Sequence, residues 1–149
     1  GDSISQAHEQ KLYPHLSPYF EKNKGMLPWP NKDYIISNRF GVSAHPDFKN
    51  ITVRNNGIDL LLNPGSSIYS VFDGKVSKVF NIPGLGNTVL VKHDQFYTVY
   101  THLESIFVSQ GDEVSTGERI GKVKGGNQLV EFHFELWEGT QKRDPELWL

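Results

Sequence analysis

The sequence predicts an all-β domain, a compact sandwich or barrel of short strands preceded by a short helical arm. Three observations point there. Alternation of apolar and polar residues is clear in Leu129-Val130-Glu131-Phe132-His133-Phe134-Glu135-Leu136-Trp137, and a period of two marks a strand. Turn residues punctuate the chain at short intervals. From Tyr34 onward the pattern is β with glycine punctuation, and no long internal repeat is present.

Composition narrows the function classes. The 149 residues suffice for one domain with a core. A net charge of -2 provides no basic field for nucleic acid. No apolar run reaches the length of a membrane span, and no signal peptide is visible, although Gly1 is compatible with a cloning scar and a removed leader. Cysteine is absent, which excludes disulfides, thiolate zinc sites and cysteine nucleophiles.

The first segment, residues 1–24, reads as an arm. Ser5 to Tyr13 suits a helix with Ser5 as N-cap, and Pro14 and Pro18 bend or stop it. Leu12, Leu16, Tyr19 and Phe20 recur at roughly helical spacing. The arm is either a short strap on the domain or the end of a longer helical or coiled-coil region. Residues 25–34 form a Pro/Trp linker, with Pro28 and Pro30 holding the backbone extended and Trp29 anchoring it.

Residues 35–149 form the domain. Tyr34–Arg39 is a candidate strand. Phe40-Gly41 and His45-Pro46-Asp47 suggest a loop, and Gly57–Leu62 is a strand ending at Asn63-Pro64-Gly65. Ile68–Phe72 and Lys75–Phe80 flank Asp73-Gly74, a strong hairpin signal. Asn87–His93 and Phe96–His102 form a second hairpin around Asp94-Gln95. Val114 and Arg119–Val123 are short strands among Gly111, Gly117 and Gly121. Asp144-Pro145-Glu146-Leu147-Trp148-Leu149 closes the chain, with Leu147 and Trp148 plugging the core. Trp29, Trp137 and Trp148 read as packing residues. His8, His15 and His93 read as surface residues without a role.

On the strand Val130–Leu136, period two places Val130, Phe132, Phe134 and Leu136 on one face and Glu131, His133 and Glu135 on the other. The first face demands a core. The second carries groups that are costly to bury unpaired, so this strand should floor a cleft.

The stretch from Val108 to Gly121, with glycines at 111, 117 and 121, is similar to biotinyl and lipoyl carrier domains, but the methionine-flanked lysine of those carriers is missing near Lys75. The order of pieces discriminates further. Arg39-Phe40-Gly41, His45-Pro46, Asn55-Asn56-Gly57-Ile58-Asp59, Asp73-Gly74-Lys75-Val76, Gly86-Asn87, Tyr100-Thr101-His102-Leu103, Glu131-Phe132-His133-Phe134-Glu135 and Asp144-Pro145 follow one another. This series closely resembles the LytM or lysostaphin-like family of zinc metallopeptidases, which cut peptide cross-links in bacterial cell walls.

The resemblance implies a compact LytM-type β-sandwich or barrel and a zinc site. In that family, "H-x-G-x-D" supplies two ligands and the second histidine of "H-x-H" the third. The first histidine of that pair and the histidine of "Y-x-H-L" handle the proton and the oxyanion. Asp59 and His133 match ligands, and His102 matches a catalytic histidine. Asn55 stands where the first ligand belongs, and Glu131 where the other catalytic histidine belongs.

An amide is a poor zinc ligand beside an imidazole. The reading is therefore a degenerate site, with no bound metal and no catalysis expected. A rescue remains open, with Glu131 joining Asp59 and His133 as a third ligand, or acting as a base. The bland alternative is that His102 bonds a neighbour, Asp59 caps a turn, and Glu131 pairs with His133.

The series also resembles a branch of murein hydrolase activators of the EnvC type, through Leu27-Pro28-Trp29-Pro30 and the ending Asp144-Pro145-Glu146-Leu147-Trp148-Leu149. That resemblance implies a periplasmic or cell-envelope regulator whose groove, formed by Asn55, Asp59, His102, Glu131 and His133, binds a peptidoglycan amidase or other cell-wall hydrolase. Two alternatives stand beside it: an active zinc-dependent endopeptidase with an altered ligand set, and a non-catalytic binder of peptidoglycan.

Overall fold

A computed structural model describes residues 13–149. The expected helix from Ser5 lies outside the described residues, apart from its last residue, as does His8. Along the described chain run β1 (Tyr34–Asn38), β2 (Gly41–Ala44), β3 (Thr52–Asn55), β4 (Ile58–Leu62), β5 (Ser67–Tyr69), β6 (Gly74–Ile82) and β7 (Gly86–His93). They are followed by β8 (Phe96–Leu103), β9 (Ser105–Ile106), β10 (Glu113–Val114), β11 (Arg119–Lys122), β12 (Val130–Glu138) and β13 (Gln141–Arg143).

Eight strands form the main sheet in the order β1-β4-β12-β8-β7-β6-β10, with β13 paired to the far end of β12. A smaller sheet has the order β5-β11-β9, and β2 and β3 pair with each other. The sheets do not close into a barrel. One face of the main sheet packs Leu60, Val89, Val91, Tyr100, Phe132 and Phe134 against Ile68 and Ile120 of the smaller sheet, all fully buried. The period-two expectation for β12 holds: Phe132, Phe134 and Leu136 are buried, whereas Glu131 is exposed and His133 and Glu135 are half-buried.

Three expectations are corrected. The strands flanking Asp73-Gly74 are not a hairpin. β5 pairs with β11 and β6 with β7 and β10, so Asp73-Gly74 carries the chain from one sheet to the other. The Asp73 carboxylate accepts the Thr116 N–H and hydroxyl at 2.7 and 2.9 Å. Gly74 is needed for close approach, since a Cβ there would lie 2.6 Å from His93 Nδ1. Second, residues after Phe40 are not all loop: β2 and β3 pair antiparallel from Gly41↔Asn55 to Ala44↔Thr52, as β-branched Val42, Thr52 and Val53 favour. Third, Trp148 plugs the core at 6% exposure, while Leu147 is 56% exposed. The hairpin at Asp94-Gln95 is present.

The arm is wedged into the body. Phe20 is 2% exposed and stacks on Phe96 with ring centroids 4.5 Å apart. A short 3-10 turn, Phe20–Asn23, follows. Asn23 fixes it from inside, donating to the Ser17 and Tyr19 carbonyls and accepting the Ser17 N–H. The Gly25 and Leu27 N–H groups both donate to the Trp148 carbonyl. Trp29 stacks on Tyr34 at 4.1 Å.

Candidate functional site

The second face of the main sheet carries the site. Antiparallel register sets His133 of β12 opposite Asp59 of β4 on one side and Thr101 of β8 on the other, and residues directly opposite share a face. His133 Nδ1 lies 2.7 Å from Asp59 Oδ1, and its Nε2 lies 2.7 Å from Glu135 Oε2. A carboxylate only accepts, so both ring nitrogens donate and His133 is an imidazolium. Burial opposes that charge, but hydrogen bonds to Asp59 and then Glu135 outweigh it and raise its pKa to about 9. Burial pushes the Glu135 pKa up, yet the His133 and Trp137 hydrogen bonds overcome it and lower the value. Trp137 Nε1 donates to Glu135 Oε1 at 2.7 Å.

Asn55, at the end of β3, completes the network. Its Nδ2 donates to Asp59 Oδ2 at 3.1 Å and its Oδ1 accepts the Gly57 N–H at 3.2 Å. The two bonds together fix the orientation of the amide. Gly57 lets this corner lie flat on β12, because a Cβ would collide with the Phe134 carbonyl.

A β-bulge positions His102. Asn87 of β7 pairs with Leu103 and Val89 with Tyr100, so Thr101 and His102 together face Thr88. Such a bulge re-aims a side chain. His102 takes φ +66°, a left-handed backbone that strains a residue with a Cβ and collects at functional sites. Its N–H donates to the Leu85 carbonyl, and its Nδ1 donates to the Glu131 carbonyl at 3.3 Å. The His102 and His133 rings lie 6.5 Å apart. Thr101 Oγ1, buried beside His133, has no hydrogen-bond partner among the described residues.

The donor set does not fit zinc. Two of the required three ligand positions, Asp59 and His133, are adjacent, and the third is held by Asn55, a poor zinc donor beside an imidazole. The Asn55 atom facing Asp59 is an amide nitrogen, which has no lone pair for a metal. Glu131 is exposed, and its carboxylate makes no bond among the described residues; only its backbone carbonyl enters the cluster.

Of the five expected groove residues, the structure bonds Asn55, Asp59 and His133 together and sets the His102 ring 6.5 Å from that of His133, and it leaves the expected Glu131 side chain outside the cluster. The bland pairing of Glu131 with His133 is corrected: Glu135 is the partner. Glu135 and Trp137 were overlooked as site residues, although period two places both on the face of His133. His93 is corrected too. It is 3% exposed, with Nδ1 2.6 Å from the Asp73 carbonyl and Nε2 2.8 Å from Thr98 Oγ1. Burial lowers its pKa to about 4 despite the Asp73 contact.

An antiparallel sandwich with an Asp–His pair on the outer face of its main sheet places the fold in the lysostaphin-like class. The chain belongs to peptidase family M23, whose model matches residues 53–145. It is 31% identical over 128 residues to the peptidoglycan DD-endopeptidase ShyA of Vibrio cholerae, an alignment covering 79% of this chain and 30% of that protein. It is 26% identical over 129 residues to the murein hydrolase activator EnvC of Escherichia coli, covering 85% of this chain and 29% of that protein. A solved zinc containing peptidase from Vibrio cholerae superposes with a TM-score of 0.69 at 31% identity, covering 79% of this chain and 38% of that one. The chain therefore spans under a third of the length of these two curated relatives.

Proposed function

We propose that this chain is a non-catalytic M23 domain that regulates cell-wall hydrolysis by offering its cleft to a peptidoglycan amidase, in the periplasm or envelope of a bacterium. The observation that carries this is the closed network Asn55–Asp59–His133–Glu135. It satisfies both Asp59 oxygens and both His133 nitrogens with protein partners, which ties up the two matched ligand residues. Beside it, the β2–β3 hairpin exposes Val42, Phe48, Ile51 and Val53. Period two puts Val53 and Ile51 on the face of Asn55, and clustered exposed apolar residues suit a protein partner. The kinship to EnvC supports the same reading.

The test uses dye-labelled peptidoglycan. The domain alone releases no dye, with or without chelator, and accelerates release by a cognate amidase. Ile51→Asp combined with Val53→Asp abolishes the acceleration. Chelator-sensitive release by the domain alone overturns the proposal.

A second reading is an active zinc endopeptidase, favoured by the 31% identity to ShyA. It requires the Glu131 carboxylate to turn inward and His133 to lose its proton. In that case one zinc per chain is found after dialysis against the metal, and Glu131→Ala removes both zinc and cleavage.

A further inference from the structure

The outer face of the smaller sheet, on the far side of the core from the cleft, sets two cations among aromatic rings and hydroxyls. Register fixes its members. Arg119 of β11 lies opposite Tyr69 of β5, and Lys122 opposite Ser67. Lys122 also lies opposite Ser105 of β9, two residues before Phe107. On a regular strand, residues three apart point to opposite faces. Here the β11–β5 register shifts between Arg119 and Gly121, so Ile120 and Gly121 together oppose Ile68, and all three are buried. A bulge of this kind re-aims a strand, and this one brings Arg119 and Lys122 to the same face. Two rows result, Tyr69–Arg119–Phe107 and Ser67–Lys122–Ser105.

Arg119 is held in place before anything binds. Its Nε donates to Ser67 Oγ at 2.8 Å, and its guanidinium lies 4.3 Å from the centre of the Phe107 ring. The terminal nitrogens form the remaining edge of the fork and have no hydrogen-bond partner among the described residues. No carboxylate lies within ion-pairing distance of Arg119 or Lys122 among the described residues. The neighbouring Glu118 is engaged by the Ser115 N–H. Tyr69 is 38% exposed and Phe107 46%.

We propose that this face docks an acidic segment of a partner protein, with one carboxylate seated end-on against the Arg119 fork and a second on Lys122. The fork suits a carboxylate with two parallel hydrogen bonds. Because Ser67 and Phe107 already fix the guanidinium, little side-chain freedom is left to lose on binding. The two cations stand opposite alternate residues of β5, roughly 7 Å apart along the strand, which matches acidic side chains at every second position of an extended peptide. Arginine and aromatic residues are also the types that concentrate at protein interfaces. An anionic bilayer is recognised by clusters of about four to eight basic residues, and two are too few. Nucleic acid is less suited to a chain of net charge -2. The surface is separate from the cleft and the β2–β3 hairpin, so it stands or falls independently of the amidase reading.

The experiment is a fluorescence anisotropy titration of the whole chain into a short labelled peptide alternating glutamate and serine. A peptide alternating glutamine and serine and vesicles rich in phosphatidylglycerol are run in parallel. Wild type binds the glutamate peptide alone, and salt weakens the binding. Arg119→Lys keeps the charge but loses the planar fork, and it binds about tenfold more weakly, the scale of one hydrogen bond to a charged group. Phe107→Leu, which removes the ring against the guanidinium, also weakens binding. Lys122→Gln weakens it, whereas Lys142→Gln, the same change in net charge on the main sheet, binds as wild type. Circular dichroism of each variant confirms the fold. Wild-type affinity in Arg119→Lys, equal loss in Lys122→Gln and Lys142→Gln, capture by vesicles in place of the peptide, or no binding of the glutamate peptide overturns the proposal.

Discussion

Asp59 and His133 face each other across adjacent strands at 2.7 Å, and the remaining Asp59 oxygen is held by the Asn55 amide. In the zinc peptidases that the sequence resembles, a metal would sit between such groups. Here the positive charge beside Asp59 is a proton on His133, fixed from the other side by Glu135.

This ion triad gives stability a defined pH limit. The folded pKa of His133 is about 9, above the roughly 6.5 of an unfolded histidine. The folded state therefore binds the proton more tightly, and the contribution is fully present below about pH 6.5. It falls away as pH rises through the folded value. Denaturant midpoints measured across this range should decline on the alkaline side, and Glu135→Gln should make that decline shallower.

His93 has the opposite sign. Its folded pKa is about 4, below the unfolded value, so the unfolded chain takes up the proton first as pH falls. Stability is retained above about pH 6.5 and drains away toward pH 4. Neutral His93 must donate through Nδ1 to the Asp73 carbonyl, so Thr98 donates to Nε2 and the Tyr100 hydroxyl, 3.0 Å from Thr98 Oγ1, donates to Thr98. His93→Gln should lower stability at neutral pH and flatten the acid limb of a thermal-melt series.

Restoring one ligand should restore a metal site. Asn55→His replaces the amide on Asp59 with an imidazole, giving zinc the set of Asp and two His. Calorimetry is expected to show stoichiometric zinc for Asn55→His and none for the native chain. Binding should strengthen with pH, because His133 must first give up a proton. Stoichiometric zinc in both proteins would show that Glu131 or another group had already completed the site.

The arm should behave as core. Phe20→Ala removes a ring packed on Phe72, Phe96 and Trp148 and is expected to cost about 3–5 kcal/mol, the usual penalty for emptying a buried aromatic position. A urea titration decides it, and a cost under about 1 kcal/mol would mean that the arm is only laid on the surface.

The all-β architecture was legible because alternation is dictated by the pleat itself, and β12 reads directly from Val130 to Leu136. Asp73-Gly74 misled, because a turn dipeptide encodes a change of direction and not the partner of the next strand, and β6 pairs with β7 and β10 instead of β5. Asn55, Asp59, His102 and His133 were reached only through the resemblance of the ordered motifs to the LytM family. The choice of Glu135 over Glu131 was not legible: both lie two residues from His133, and the Trp137 N–H on Glu135 draws that carboxylate inward. Burial of His93 was hidden because only the tertiary fold supplies its carbonyl and hydroxyl partners.

The joint between the arm and the last turn has a mechanical meaning. With the Gly25 and Leu27 amides both on the Trp148 carbonyl and Phe20 seated beside the Trp148 ring, tension applied to the arm is borne in shear by the terminal turn. A pull on the arm is therefore passed to the body of the domain at the Trp148 turn before it reaches β1.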